Sequence, residues 1–155
     1  MNNLILVNKN NPLDQYYVPN SLVKYLEYNG EKIDPDHKTL VEKETLLAFF
    51  DMQAEAKQAG YGILIDSAYR SYEYQQRILD KVLAEKGEDA YNRVALPGTS
   101  EHQTGLAIDV ALSREGVYCE QFDENAPEIQ WLMENAHRFG FILRYPKGKE
   151  KVTGY

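Results

Sequence analysis

Two short apolar runs place the strongest constraint on how this chain can fold. Residues 61–66 read YGILID and residues 106–112 read LAIDVAL, and each has the length of a strand rather than a helix. Their consecutive apolar positions are typical of strands buried on both faces. We therefore expect both runs to be strands, with residues 4–7 and 141–143 as shorter candidates.

Helix signals lie between these runs. Residues 39–42 read TLVE, the form of a capping box, and predict a helix from about residue 39 to Gly60. Ser71 could cap a second helix that runs to about residue 87. Pro127 suits the first turn of a third helix, which ends at residue 140. The faces expected to be buried comprise Leu40, Leu47, Phe50 and Ala54; Ile78, Val82 and Leu83; and Ile129, Leu132, Ala136 and Phe139.

These elements alternate without the regular spacing of a doubly wound sheet. An irregular segment, residues 8–35, is long for a structureless loop, so we expect it to pack over the domain. The prediction is an α+β fold, a small mostly antiparallel sheet with helices packed against it. The 155 residues are enough for one domain, residues 1–155, with a real core.

Charge and composition limit the classes of molecule that this chain could bind. The chain has 17 basic and 24 acidic residues, a net charge of -7, which argues against binding nucleic acid through its phosphates. No run approaches the apolar length of a membrane span, and the first eight residues are too polar and short for a secretion signal. The protein is cytoplasmic, or an export segment lies outside this sequence. We expect a monomer without internal disulfides, because Cys119 is the only cysteine, and we expect that thiol to be inert.

The segment LPGTSEHQTGLAIDV, residues 96–110, carries the first candidate site. Asp109 falls within the proposed apolar strand, and a buried carboxylate needs a counter-charge nearby. A bend at residues 104–105 could fold His102 back beside it. Imidazole and carboxylate are both good zinc ligands, although a hydrogen-bonded pair is commoner at this spacing. Both interpretations stay open on spacing alone.

The second candidate is SAYRSYEYQ, residues 67–75, between a buried strand and a helix. Arg70 at the end of a core strand could form a fixed fork for a carboxylate. A surface arginine paired with an acidic neighbour is an equal alternative. Of the other histidines, we expect His37 to be solvated and His137 to interact with a helix dipole.

Three of these segments, in this order, resemble the VanY-like D-alanyl-D-alanine carboxypeptidases. They are residues 67–75, residues 97–110 and the stretch WLMENAHRFGFILRYPKGKE at 131–150. The opening residues 6–13 and 18–23 also resemble the start of that family, so the resemblance runs nearly end to end.

The resemblance implies a zinc-dependent peptidase that removes the C-terminal D-alanine from peptidoglycan stem peptides or their precursors. Related members instead cut the L-lysyl-D-alanine bond. It also implies the α+β fold shared with Hedgehog signalling domains. His102 and Asp109 match the first two zinc ligands, and Arg70 matches the arginine that engages the substrate carboxylate or the developing oxyanion. The matched substrate-binding positions are Ser67, Tyr69, Gln75 and Ser100.

The family pattern continues past residue 155. A strand bearing Glu-Pro-Trp-His follows the segment that resembles residues 149–155, and supplies the general base and the third zinc ligand. We expect this strand beyond Tyr155, so that residues 1–155 lack the C-terminal strand of the domain. The alternative is a catalytically incomplete relic that binds wall peptides without cutting them.

Overall fold

A computed structural model describes residues 5–25, 39–119 and 123–143 of the chain. The central element is an antiparallel sheet in which the strand Gly62–Ser67 pairs with Asp109–Arg114, which in turn pairs with Val117–Tyr118. A second antiparallel pair, Leu22–Lys24 with Leu40–Glu42, leads directly into the first helix. In chain order the elements are β1 (Leu22–Lys24), β2 (Leu40–Glu42), α1 (Lys43–Gln58), β3 (Gly62–Ser67), α2 (Tyr72–Lys86), α3 (Ala90–Arg93), β4 (Asp109–Arg114), β5 (Val117–Tyr118) and α4 (Pro127–Asn135). Short 3₁₀ turns lie at Gly87–Asp89, Glu101–Thr104 and Ala136–Phe139.

Strand β3 confirms the first run that the sequence predicts, and β4 confirms the second over residues 109–112 only. Ile63, Leu64 and Ile65 are all buried, as expected for a strand covered on both faces. Gly62 pairs with Ser113, and a side chain at position 62 would collide with the Ser113 carbonyl oxygen. Glycine is therefore required at position 62 for the two strands to pair there.

Helix α1 packs on this sheet and forms the core with it. Tyr25, just after β1, contacts Phe49 edge-on and stacks against Phe50, both at 6.2 Å between ring centroids. The buried cluster joins Tyr25, Val41, Leu46, Phe49, Met52, Ala56, Ile63, Ile65 and Ala68. Together with the antiparallel sheets, this arrangement confirms the α+β prediction.

The start and the buried face of α1 differ from the prediction. Residues 40–42 pair with β1, so the helix begins at Lys43 and the predicted capping box does not form. Glu42 caps it instead, because its carboxylate accepts a hydrogen bond from the Thr45 amide at 3.0 Å. The buried stripe consists of Thr45, Leu46, Phe49, Met52 and Ala56, while Leu47 and Ala54 are exposed and Phe50 is half-buried.

The second and third predicted helices are confirmed. The Ser71 hydroxyl accepts from the Tyr74 amide at 3.0 Å, and α2 ends at Lys86 with Gly87 as its C-cap. Gln75 and Leu79 are its buried residues, with Ile78, Val82 and Leu83 half-buried. Helix α4 starts at Pro127 and continues as a 3₁₀ turn to Gly140, where φ is 86°. No helix in the described ranges is long and apolar enough to cross a membrane.

The predicted minor strands are wrong. Residues 5–7 pair with no strand in the described part of the chain, although Val7 is buried. Residues 141–143 form no strand either, because the Phe141 amide donates to the Ala136 carbonyl and closes the preceding turn. Residues 106–108 are irregular and β4 begins only at Asp109. His37 lies outside the described residues.

Candidate metal and substrate site

His102 and Asp109 face each other across the end of β4. His102 Nε2 lies 3.4 Å from Asp109 Oδ1. The other ring nitrogen, Nδ1, lies 2.6 Å from the carbonyl oxygen of Ala68. A carbonyl can only accept, so Nδ1 carries a hydrogen, while Nε2 faces the carboxylate and is the ring nitrogen left to bind a metal. This is the tautomer that a metal-binding histidine requires.

The 3₁₀ turn Glu101–Thr104 holds His102 in this direction. Ser100 caps the turn, and its hydroxyl accepts from the His102 amide at 3.3 Å. Gly105 ends it with a φ of 73°, which a residue with a side chain rarely adopts. The His102 carbonyl accepts from the Arg70 amide at 3.0 Å, so the two sequence motifs are joined through their backbones. The predicted bend at residues 104–105 is therefore confirmed.

A β-bulge places Asp109 in the site. Ile65 pairs with Val110, but the next pair is Ser67 with Asp109, so Asp66 is an extra residue in β3. The Asp109 side chain is 53% exposed, which corrects the expectation of a carboxylate in a buried strand. The reason is the late start of β4, which leaves Asp109 at the open end of the sheet.

Arg70 completes the cluster from the end of β3. Its Nη2 lies 3.5 Å from Asp109 Oδ2, and its Nη1 donates to Gln75 Oε1 at 3.2 Å. The Arg70 side chain is only 20% exposed, and its Nε is buried and meets no acceptor within the described residues. Arg70 does pair with an acidic neighbour, but it does so inside the site and not on an open surface.

The surroundings favour the ionised form of Asp109. Burial alone would raise its pKa, but the hydrogen bond and charge of His102, together with the Arg70 guanidinium, outweigh that effect and lower the pKa. The carboxylate is therefore available as a negatively charged ligand at neutral pH.

The His102–Asp109 geometry fits a tetrahedral metal site. Zinc binds imidazole nitrogen and carboxylate oxygen at about 2.0–2.2 Å, which puts two such ligand atoms roughly 3.4 Å apart. The observed separation of Nε2 and Oδ1 is 3.4 Å. In the described part of the chain, no group of three His, Cys, Asp or Glu side chains could hold a metal, so His102 and Asp109 form a partial ligand set there.

Of the four predicted substrate-binding residues, two are buried and two are half-buried. Gln75 and Ser100 are 3% and 7% exposed, and their polar groups bond inside the protein. Gln75 Nε2 donates to the Ala95 carbonyl at 2.9 Å, opposite its bond to Arg70. Ser67 and Tyr69 are half-buried where β3 leads toward Arg70, and burial raises the pKa of Tyr69.

Residues outside the predicted site also contribute to it. The Ala68 carbonyl sets the His102 tautomer, and Gln103 is almost fully buried beneath the N-terminal segment. A main-chain group leaves no signal in a sequence, and a glutamine in a polar turn is usually exposed. Of the remaining predicted residues, His137 is exposed in the last 3₁₀ turn and Cys119 is half-buried.

Residues 38–155 match the family described as VanY, D-alanyl-D-alanine carboxypeptidase. The chain belongs to this family. It is 40% identical over 156 residues to the carboxypeptidase candidate YodJ of Bacillus subtilis (strain 168), covering 99% of this chain and 56% of YodJ. It is 36% identical over 162 residues to a D-alanyl-D-alanine carboxypeptidase of Enterococcus faecalis (strain ATCC 700802 / V583), covering 97% of this chain and 54% of that protein.

Solved structures give the same assignment. The LdcB LD-carboxypeptidase has a TM-score of 0.80 at 36% identity, covering 97% of this chain and 70% of that one. A variant of the D,D-pentapeptidase VanY from the VanB-type resistance cassette, solved with Zn(II), has a TM-score of 0.73 at 33% identity, covering 97% of this chain and 81% of that one. The present chain spans about half the length of the curated relatives it matches.

Proposed function

We propose that this chain carries the zinc and substrate site of a carboxypeptidase that removes the C-terminal D-alanine from peptidoglycan stem peptides or their precursors. The observation that carries the proposal is the convergence of His102, Asp109 and Arg70 at the end of β4. His102 presents Nε2 toward Asp109 Oδ1 at the separation expected of two zinc ligands. VanY has been solved with Zn(II), and a related VanYB with D-alanine-D-alanine, which supports this choice of metal and substrate.

His102 and Asp109 would hold the zinc ion, with Ala68 fixing the imidazole ring of His102 through Nδ1. When bound, zinc supplies Lewis-acid polarisation of the scissile carbonyl and of the attacking water. The lowered pKa of Asp109 keeps its carboxylate charged for this role. In the family pattern, a Glu-Pro-Trp-His segment supplies the third ligand and the general base, and the proposal includes a segment of that kind.

Arg70 would bind the substrate carboxylate or stabilise the developing oxyanion. Its guanidinium is held on one side by Gln75 and faces Asp109 on the other. A guanidinium can meet a carboxylate with two parallel hydrogen bonds, and the Arg70 side chain is 20% exposed. A positioned cation of this kind contributes orientation and charge stabilisation in acyl transfer.

Ser67 and Tyr69 are proposed to line the substrate-binding side of the site, since both lie on the segment that leads into Arg70. Gln75 and Ser100 are proposed to support substrate binding from beneath, through Arg70 and the His102 turn. We propose that residues 1–155 belong to one peptidase domain that acts as a monomer. Sedimentation of the full-length protein at several concentrations tests whether it is monomeric.

Zinc content and D-alanine release test the proposed function together. The full-length protein should hold roughly one zinc, which chelators remove with loss of activity. His102→Ala and Asp109→Asn should each lose zinc and release of D-alanine. His137→Ala is the matched control and should keep both, because His137 is exposed and joins no ligand group of the described residues.

Peptides ending in D-Ala-D-Ala and in L-Lys-D-Ala should be compared as substrates. Release of D-alanine from either one supports the proposal, and their ratio measures D,D against L,D preference. Peptide binding without any release would instead favour a wall-peptide-binding relic. Full activity after complete zinc removal would contradict the metal's role.

A further inference from the structure

Gln103 joins the N-terminal segment to the turn that carries His102. Its side chain is 2% exposed, although glutamine is usually a surface residue. Its Nε2 donates to two carbonyl oxygens of one loop, Asp14 at 2.9 Å and Tyr17 at 3.3 Å. Gln103 therefore links two segments of the chain that are at least 86 residues apart in sequence.

The chemistry fixes the orientation of this amide. Both neighbours of Nε2 are carbonyl oxygens, which only accept, so a flipped amide would place oxygen against oxygen twice. The Oε1 atom is buried and meets no donor within the described residues. Burying a polar atom in this way is costly, and the two donated bonds offset that cost only while the loop stays in place.

Other contacts hold the same loop on the same turn. We call residues 12–22 the strap. The Leu13 amide donates to the Gly98 carbonyl at 2.7 Å, and a side chain at Gly105 would contact Pro19 and Leu22. The strap thus lies along both ends of the segment that contains His102.

His102 lies between this tie and β3. On the β3 side, its carbonyl accepts from the Arg70 amide and its ring bonds to the Ala68 carbonyl. On the other side, the residue that follows it, Gln103, is anchored to the strap. We propose that Gln103 is a positioning residue, which locks the strap on the turn and thereby keeps His102 Nε2 directed at Asp109.

This inference rests on the proposed function because it takes His102 as a metal ligand. The contact between Gln103 and the strap can nevertheless be tested without metal. The variants are Gln103→Met, which keeps the length and removes the donor, and Gln103→Glu, which keeps the shape and places a carboxylate against two carbonyls. Gln130→Met is the matched control. Gln130 also donates through Nε2, to Glu134 at 3.0 Å, but it lies on the exposed side of α4.

The first measurement is NMR of the chelator-treated full-length protein. In both Gln103 variants, exchange of the His102 Nδ1 hydrogen should become about tenfold faster, since loss of the tie frees the turn. Chymotryptic cleavage after Tyr16, which is 80% exposed, should accelerate as well. Amide protection in α1 should not change, and Gln130→Met should match the parent in all three measurements. A Gln103 variant with unchanged His102 exchange and unchanged cleavage would overturn the proposal.

The second measurement is zinc affinity, which should weaken by about 10–100-fold in Gln103→Met, as for other residues that orient a ligand. A parent protein that binds no zinc would refute the proposed function while leaving the NMR measurement decisive for the tie. Should the variants fail to fold, the parent alone suffices. Its Gln103 side-chain amide and His102 Nδ1 hydrogen should exchange with equal protection, and clearly different protection would refute the coupling.

Discussion

Arg114 at the end of β4 clamps the buried carboxylate of Glu128 in α4. Its Nε and Nη2 donate to the two carboxylate oxygens at 2.9 and 3.2 Å. The Glu128 side chain is 7% exposed, whereas that of Arg114 is 56% exposed. This two-pronged contact ties the last described helix to the central sheet.

Removal of the arginine should therefore destabilise the fold more than loss of an ordinary surface pair. Arg114→Met leaves a buried carboxylate without its partner, so the thermal midpoint should fall by about 3–8 °C. Arg93→Met is the control, because Arg93 and its partner Asp89 are 57% and 50% exposed. Calorimetry that gave equal midpoints for both variants would contradict this role of Glu128.

Two buried glutamates should make the protein sensitive to acid. Burial would raise the pKa of Glu42, but hydrogen bonds from Thr45 and Ser21 outweigh it and lower that pKa, while the Arg114 hydrogen bond lowers the pKa of Glu128. Because both folded-state pKa values lie below the unfolded value of 4.5, their stabilisation is complete above that pH and is lost as pH falls through the lowered values.

Thermal midpoints measured from pH 7 to pH 3 test this dependence. The parent should lose stability below about pH 4.5, and Glu42→Gln with Glu128→Gln should show a flatter decline from a lower starting midpoint. An equally steep decline in the double variant would assign the acid sensitivity to other groups.

Arg70 should be needed for catalysis and not for folding. Arg70→Ala should lower kcat/KM for a D-Ala-D-Ala peptide by about 10²–10³, the usual effect of losing one stabilising donor. Arg70→Lys should recover only part of this loss, because an ammonium keeps the charge but not the planar fork that meets Gln75 and Asp109. Circular dichroism should show both variants folded, and normal turnover by Arg70→Ala would refute the role.

Gly105 should tolerate a side chain less well than another glycine with a similar backbone. Gly60 and Gly105 have φ values of +92° and +73°, but a Cβ at Gly60 meets nothing within 4 Å, while one at Gly105 lies 3.1–3.3 Å from Leu22, Pro19 and Glu42. Gly60→Ala should cost about 1–2 kcal/mol of backbone strain. Gly105→Ala should cost about 1–3 kcal/mol more, measured by urea unfolding, because the strap or β2 must also move. Equal losses of unfolding free energy in the two variants would show that the strap can move away at no cost.

The sequence was most informative where local chemistry decides the structure. The apolar run 61–66, the Ser71 cap and the Pro127 helix start all depend on nearby residues, and all three are found. The pairing of residues 40–42 with β1 depends on a partner some 18 residues away, and it shifted the start of α1. Periodicity that began at Leu40 therefore indicated the wrong face of that helix.

The candidate site likewise combines residues that the sequence predicts with contacts that only the folded chain shows. Spacing left His102 and Asp109 as either a hydrogen-bonded pair or two ligands, and it is the family resemblance that favours the ligands. The contact of His102 with the Ala68 carbonyl and the burial of Gln103 depend on how the chain returns on itself. Neither follows from residue type or from spacing.

The bulge at Asp66 restricts which insertions and deletions the chain can accept during evolution. Up to Ile65 the strand alternates in step with its partner, and from Ser67 onward it is offset by one residue. Deleting Asp66 would restore continuous pairing, but it would turn Ser67 to the opposite face of the sheet and move the segment that leads to Arg70. A change in chain length at this position would therefore displace Arg70 from Asp109.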